Sequence, residues 1–296
     1  RRGSIGAVSA VLLVAHHERA EATGLCDSAI RWLHERGHRV VMTADDAAAV
    51  GASTAQVGVY MHGDSVDLAV SLGGDGTMLR TISILSGTPV PVMGVNLGLL
   101  GYLTEVDPGD FMSALGRWES GPESGRWSVD ERMMLSITVH RSDGAVGPTF
   151  TALNEAVLEK QETGHTIRML VTIDDSVFTS YAADGLILAT PTGSTAYSMS
   201  ARGPVVSPRL RAMLVTPVSP HMLFDRTLVL DPGETVGVEI LGHRAAALSI
   251  DGQPGTTLVG GDRITAVPSP HVARLLRFGD RRFHQVLTAK FGLTER

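Results

Sequence analysis

A single cysteine, Cys26, stands in a chain of 296 residues, so no intrachain disulfide is available. No uninterrupted apolar run approaches the roughly 18 residues of a membrane-spanning helix, and no signal-type apolar segment with a small-residue cleavage site follows the first residues. These absences predict a cytoplasmic chain with no membrane partner. Excess basic charge is missing too: a net charge of −6 and a pI near 6.0 provide no broad field for nucleic acid or an anionic surface. Lysine occurs only at Lys160 and Lys290 among 25 basic residues, and neither lies in a glycine loop. That excludes the phosphate loop of the G-x-x-x-x-G-K-[ST] type. A G-x-G-x-x-G fingerprint also fails, because Leu79 stands where the third glycine belongs. The eleven histidines make no zinc-type spacing with Cys26, and no G-x-S-x-G nucleophile elbow is present. His16 and His17, which follow the first strand, either touch a ligand or, as two histidines without acidic or cysteine partners, sit in a surface loop.

Hydrophobic residues, by contrast, make up 43% of the chain, enough to bury a core in one large domain or two ordinary ones. From residue 10 to about 120, apolar runs alternate with helical spacing. "AVLLVA" (10 to 15), "HRVVMT" (38 to 43), "VDLAVSL" (66 to 72) and "PVMGVN" (91 to 96) read as buried strands, and residues 18 to 36 as a helix stopping at Gly37. Such alternation predicts a Rossmann-like parallel sheet whose ligands sit at the carboxyl ends of its strands. Residues 1–125 form this α/β domain. Residues 126–270 are short alternating runs punctuated by turn dipeptides, a β-rich, sandwich-like texture. Residues 271–296 form a last segment in which "RRFHQVLTAKFGL" (281 to 293) returns to helical spacing.

At the end of the third long apolar run lies "LGGDGTML" (72 to 79). A strand, a glycine turn and a helix start placed together expose backbone amides and a partial positive charge to a phosphate. Asp75 is then free to accept a proton from a hydroxyl or to organise Mg²⁺. The same turn also reads as a turn and nothing more. "VGGDRI" (259 to 264), lacking the following glycine and helix, reads as a hairpin. In "GVNLGLLGYLTEV" (94 to 106), Gly94, Gly98 and Gly101 permit close backbone approach, and Tyr102 either lines a pocket for a flat ring or is a core residue. "ALNEAVLEK" places Asn154 and Glu155 within an otherwise apolar strand, as readers of a nucleoside or as a solvent-facing strand end. "ADGLILATPTGSTAYSMSARGP" (183 to 204) sets small hydroxyl residues ahead of a short helical run, for a ligand or for capping. Asp251-Gly252 reads as a hairpin turn.

The order of these motifs resembles the NAD kinase family, over about residues 66 to 255. The resemblance implies an N-terminal α/β domain and a C-terminal β-rich domain with the active site between them, and a last helix returning to the first domain. It implies phosphoryl transfer to the 2′-hydroxyl of the adenosine ribose of NAD, with Asp75 matching the general base. Gly74, Gly76 and Leu79 match the phosphate-loop segment, and Tyr102 an aromatic set against the nucleotide. Asn154 and Glu155 match contacts to adenosine, while Asp184, Thr192, Thr195, Ala196 and Tyr197 match others around the dinucleotide. Ala182 stands where similar enzymes carry a bulky cation or a small residue, and its small side chain implies acceptance of NADH as well. The resemblance further implies Mg²⁺, ATP or polyphosphate as donor, and a homo-oligomer, dimer or tetramer. Diacylglycerol and sphingosine kinases share the glycine-aspartate loop, so a lipid kinase is one rival reading; a non-catalytic NAD(P) sensor on the same scaffold is another.

Overall fold

The computed structural model describes residues 8–85, 87–280 and 282–293; Arg281, first in the helical run named above, lies outside them. The chain runs β1 (Ala10–Ala15), α1 (Ala20–Glu35), β2 (Arg39–Met42), α2 (Ala44–Val50), β3 (Gly58–Val59), β4 (Leu68–Gly73), α3 (Asp75–Ile84), β5 (Pro91–Asn96) and α4 (Phe111–Glu119). It continues with β6 (Ser128–His140), β7 (Val146–Ala152), β8 (Glu155–Lys160), β9 (Ile167–Ile173), β10 (Ser176–Ala183), β11 (Gly185–Ala189), α5 (Tyr197–Ser200) and β12 (Met213–Val218). Last come β13 (Leu228–Leu230), β14 (Val236–Leu241), β15 (Ala246–Ile250), β16 (Gln253–Leu258), β17 (Arg263–Arg277) and α6 (Phe283–Phe291). Two compact units result: residues up to Glu131 together with those from Ala273, and Arg132–Val272. Among the described residues no helix is long and apolar enough to cross a membrane.

The first unit is a parallel sheet in the order β5-β4-β1-β2-β3, extended beside β5 by Arg274 and Leu275 of β17. β1 and β4 are buried along their whole length, which is why they read as unbroken apolar runs instead of alternating ones. α1 lays Ala22, Cys26, Ala29, Ile30 and Leu33 into the core, the spacing of one helix face. Gly37 takes φ 79° and ends the helix, its amide bonding to the carbonyl of His34 and that of His38 to Leu33. The connection leaving β1 runs to β2 on one side, and the one leaving the adjacent β4 runs to β5 on the other. The carboxyl ends of that strand pair form the switch point where open α/β sheets take their ligands. α6 belongs to this unit.

The second unit is antiparallel and two-layered. One sheet runs β10-β9-β14-β17, with β6 paired to β17 and β7; the other runs β13-β12-β11-β8-β15-β16. Leu135, Met169 and Val238 from the first and Leu158, Leu188, Val215 and Leu248 from the second share one buried cluster. Three hairpins use left-handed turn residues: Asp174 and Asp175 at φ 47° and 61°, Gly144 at 88°, and Asp251 and Gly252 at 49° and 76°.

One expected hairpin is absent. "VGGDRI" joins β16 in one sheet to β17 in the other, so its flanking strands do not pair with each other. Asp262, 1% exposed, holds this crossing together. Its carboxylate accepts from the amides of Val259 (3.1 Å) and Ser142 (2.9 Å) and from Arg141 Nη1 (2.8 Å). Gly260 is obligatory there, since a Cβ would strike the carbonyl of Gly242.

Candidate active site

In the first unit, β4 ends at Gly73, Gly74 caps α3 in an extended conformation, and the helix begins at Asp75. Gly73 has no room for a side chain, because a Cβ would fall on the Thr77 hydroxyl. Gly74 and Gly76 differ: a Cβ at either meets nothing within 4 Å, and neither φ is positive. Their bareness therefore serves nothing inside the protein. It leaves the unpaired amides of the first turn of α3 open to an anionic group. Leu79, half-buried, lies one turn further along α3.

Asp75 does not point freely into solvent. Its Oδ2 accepts from the amide of Tyr102 at 2.8 Å and its Oδ1 from that of Leu103 at 3.0 Å. Two amides thus fix the carboxylate in place, and each oxygen keeps a second lone pair for a reacting hydroxyl. The glycine segment after β5 makes this possible: a Cβ on Gly101 would overlap Asp75 Oδ1 and Thr104 Oγ1. Gly94 is less severely confined, a Cβ there coming within 3.1 Å of Thr104 Cα. Tyr102 packs its ring 6.4 Å from that of Phe283, and Lys290 Nζ sits 4.4 Å above its centroid. α6 therefore covers the aromatic predicted to meet a flat ring. Burial, and then the charge of Asp75, raise the Tyr102 hydroxyl above its ordinary pKa.

Beside the loop, the carboxyl end of β1 carries a cluster that the sequence did not disclose. Asp46, fully buried, accepts from the amide of Ala15 (3.0 Å), from Thr43 Oγ1 (2.6 Å) and from both outer nitrogens of Arg80 on α3 (2.7 and 3.1 Å). His17 Nε2 lies 3.1 Å from it. Burial alone would raise its pKa, but the bonds from Arg80, Thr43 and Ala15 hold it below the usual carboxylate range. Thus His17 does have an acidic partner, brought from 29 residues away. Arg19 donates to the carbonyl of Leu97, whose amide bonds to the carbonyl of Gly73.

In the second unit, Asn154 occupies the break between β7 and β8, and Glu155 opens β8, so the pair sits at a strand end rather than inside a strand. The segment Thr190–Gly193 is bonded against it. Thr190 donates its amide to the carbonyl of Asn154 (2.9 Å) and its hydroxyl to that of Leu153 (2.6 Å), then accepts from the amide of Gly193 (3.1 Å). Gly193 again admits no Cβ, since its backbone lies on that of Asn154. A short helical turn, Gly193–Thr195, and the four-residue α5 follow. Thr192 is buried with its hydroxyl 3.5 Å from Arg132 Nη1, and Thr195 Oγ1 donates to the carbonyl of Thr192 at 3.4 Å. Ala196 leads into α5, where the Tyr197 amide lies on the side of the Glu155 carboxyl and its hydroxyl donates to Glu159 Oε1 at 2.9 Å. Burial and the bond to Glu159 push the Tyr197 hydroxyl up to about 12. Asp184 is held at 2.6 Å by Lys160 Nζ at the far end of β8. Ala182, on the edge strand β10, accepts from the amide of His221 at 2.8 Å through its carbonyl.

The structure therefore draws Asn154, Glu155, Thr192, Thr195, Ala196, Tyr197 and Asp184 toward β8. Sequence reading missed the residue that shapes this corner. The Asp251 carboxylate accepts from three successive amides, Leu153 (2.8 Å), Asn154 (2.7 Å) and Glu155 (3.0 Å). Its turn dipeptide fits a hairpin as expected, and nothing in "SIDGQ" signals a contact nearly 100 residues away. Among the described residues, no group of three or more His, Cys, Asp or Glu is placed to hold a metal ion.

Comparison with known proteins agrees over most of the chain. The ATP-NAD kinase N-terminal domain matches residues 11–121 and the ATP-NAD kinase C-terminal domain residues 153–278. An NAD kinase of Moorella thermoacetica is 38% identical over 281 residues, 94% of this chain and 88% of its own. Another, of Heliobacterium modesticaldum, is 44% identical over 226 residues, covering 76% and 78%. In fold the chain is similar to a yeast NADH kinase complexed with NADH, at TM-score 0.88 and 24% identity, covering 98% of this chain and 89% of that one. It is also similar to an NAD kinase of Archaeoglobus fulgidus in complex with ATP, at TM-score 0.70 and 24% identity over 98% and 100%. These matches do not favour the lipid-kinase and sensor readings. With both domains matched in order and relatives of this identity and coverage, the chain belongs to the NAD kinase family.

Proposed function

We propose that the chain transfers a phosphoryl group to the 2′-hydroxyl of the adenosine ribose of NAD, with Asp75 as the group that takes the hydroxyl proton. The carrying observation is the fixed Asp75 carboxylate at the head of a helix whose first amides are bare. In the reaction the 2′-oxygen bonds to the terminal phosphorus of the donor, the bond from that phosphorus to the bridging oxygen breaks, and the proton passes to Asp75. Such transfers run through a loose transition state, so positioning outweighs base strength. The amides at Gly76 and Thr77 would face phosphate oxygens, with Leu79 packing behind them. Asn154, Glu155, Asp184, Thr192, Thr195, Ala196 and Tyr197 would take the dinucleotide, with Tyr102 against a ring.

ATP is the donor we assign by default, and inorganic polyphosphate is the alternative to test. Mg²⁺ belongs to the same proposal, with Asp75 the protein carboxylate at the loop that would help to organise it. When bound, the cation neutralises charge on the group in transfer. The small Ala182 supports use of both NAD and NADH. A homo-oligomer, dimer or tetramer, is supported by exposed apolar side chains at one edge of the second unit: Val177 and Phe178 on β10, and Leu223 and Phe224 in the loop before β13. Cytoplasmic residence is part of the same proposal, supported by a single cysteine that allows no intrachain disulfide.

An assay for NADP formed from NAD, ATP and Mg²⁺ tests the reading, with polyphosphate substituted for ATP and NADH for NAD in parallel. Asp75→Asn is expected to keep NAD binding and lose turnover by roughly 100-fold or more. Near-normal turnover in that variant would remove Asp75 from the reaction.

A further inference from the structure

Thr104 is 2% exposed, and its Oγ1 is buried without a partner among the described residues. It follows directly on the two residues whose amides hold Asp75, so Tyr102, Leu103 and Thr104 present in turn an amide, an amide and a hydroxyl. The segment is itself fixed. The carbonyl of Leu103 accepts from Arg277 Nη1 at 3.1 Å, and the amides of Glu105 and Val106 both donate to the carbonyl of Gly94 at 3.1 Å. The Thr104 methyl faces Gly94, 3.2 Å from where a Cβ there would stand, and its hydroxyl faces Gly101. One point beside Gly101, the place its Cβ would take, is overlapped by both Thr104 Oγ1 and Asp75 Oδ1, which sets the two oxygens within about 5 Å of each other with no side chain between. Thr104 lies between β5 and α4, outside any helix, so the carbonyl one turn back that often satisfies a buried threonine is not offered. Asp75 Oδ1 is the acceptor the structure sets beside it.

We infer that Thr104 is a positioning residue for the proton transfer: its hydroxyl donates to Asp75 Oδ1 as the carboxylate turns to meet the ribose, and the proton of the 2′-hydroxyl goes to Oδ2. This rests on the reading of Asp75 as the proton acceptor. Oδ1 then carries the Leu103 amide and the Thr104 hydroxyl, which fill both its lone pairs, while Oδ2 carries the Tyr102 amide alone and keeps one pair open. The 2′ O–H bond breaks as the bond from that oxygen to phosphorus forms, and the proton lands on the open pair of Oδ2. A hydroxyl that donates to a carboxylate makes a charge-assisted bond, so it holds the ionised Asp75 in one orientation until the proton arrives. Buried as it is, Thr104 Oγ1 touches neither NAD nor the donor. Its effect falls on turnover and not on binding.

Steady-state rates of NADP formation by the whole chain, beside NAD binding by titration calorimetry, test this. Thr104→Val keeps the shape and removes the hydroxyl: kcat should fall about tenfold, the effect of one charge-assisted hydrogen bond, with KM and the dissociation constant for NAD within about twofold of wild type. Thr104→Ser keeps the hydroxyl and drops the methyl, and its kcat should stay within about threefold of wild type. The urea midpoint of Thr104→Val should not fall, because the variant removes an unpaired buried hydroxyl, so lost packing and lost positioning are told apart. In an Asp75→Asn chain, adding Thr104→Val should cost less than about twofold more, since no proton acceptor is left to position. Wild-type kcat in Thr104→Val, a serine variant as slow as the valine one, or a loss confined to KM overturns the proposal. Where Thr104→Val does not fold, Thr104→Ser against Thr104→Ala decides on the same terms. If Asp75→Asn loses turnover while Thr104→Val keeps it whole, only the Thr104 assignment falls. An Asp75→Asn chain with near-normal turnover removes the underlying reading and this one with it.

Discussion

Asp75 is held by contacts that a single added carbon would disturb. The Cβ introduced by Gly101→Ala would collide with its Oδ1, and the carboxylate would have to turn away from the amides of Tyr102 and Leu103. Misplacement of a reacting group by about 1 Å can cost 100-fold. We expect Gly101→Ala to lower kcat by about that factor while NAD still binds, as steady-state rates beside a binding titration would tell. Glu155 bears on stability. Its pKa rises from 4.5 in the unfolded chain to about 8 on folding. The folded state therefore holds a proton that the unfolded chain releases, and the stabilisation is whole below about pH 4.5 and lost as pH climbs toward 8. Between those limits the loss amounts to a few kcal/mol. Denaturant titrations across that range should show a decline in the wild-type chain that is largely missing in Glu155→Gln.

Among the elements, the cluster around Asp46 joins the end of β1, the start of α2 and the first two turns of α3. Removing the carboxylate leaves Arg80 without its ion partner and the amide of Ala15 and hydroxyl of Thr43 without their acceptor. A pair buried on both sides costs about 3–5 kcal/mol when one partner is removed; with Arg80 34% exposed and able to turn to water, about 2–3 kcal/mol is expected here. Asp46→Ala should show it as a lower urea midpoint with an unchanged slope; a change below about 1 kcal/mol would mean that the cluster is solvated in the folded state. None of this was legible beforehand, because Asp46 sits in "TADDAAAV" with the look of an ordinary first-turn acid. Strands with buried middles were legible, since β1, β4 and β5 leave unbroken apolar runs. The glycine turn after β4 was legible as a run of glycines, of which Gly73 has a steric reason to be glycine and Gly74 and Gly76 have none. "VGGDRI" misled because local sequence records that the chain turns, not which strand it will pair with afterward. Asp251 escaped notice because a hairpin aspartate and an aspartate binding three distant amides have one and the same sequence signature. The expectation that Asn154 and Glu155 lie within a strand missed the break at Leu153–Asn154, which exists because Asp251 and Thr190 take up backbone groups that a sheet would otherwise bond.

For the molecule as a whole, the exposed apolar side chains Val177, Phe178, Leu223 and Phe224 set up a test of assembly. Light scattering of the wild-type chain should give a mass of two or four subunits, and Leu223→Asp should lower it. A monomeric wild-type chain would exclude the oligomer. Scarcity of lysine has a practical side too. The side-chain amines are two: Lys160, tied to Asp184 on β8, and Lys290, exposed on α6 above the ring of Tyr102. An amine-directed fluorophore or cross-linker would thus have one engaged target and one open target, and a single dye on Lys290 would carry its signal from directly above the aromatic next to Asp75.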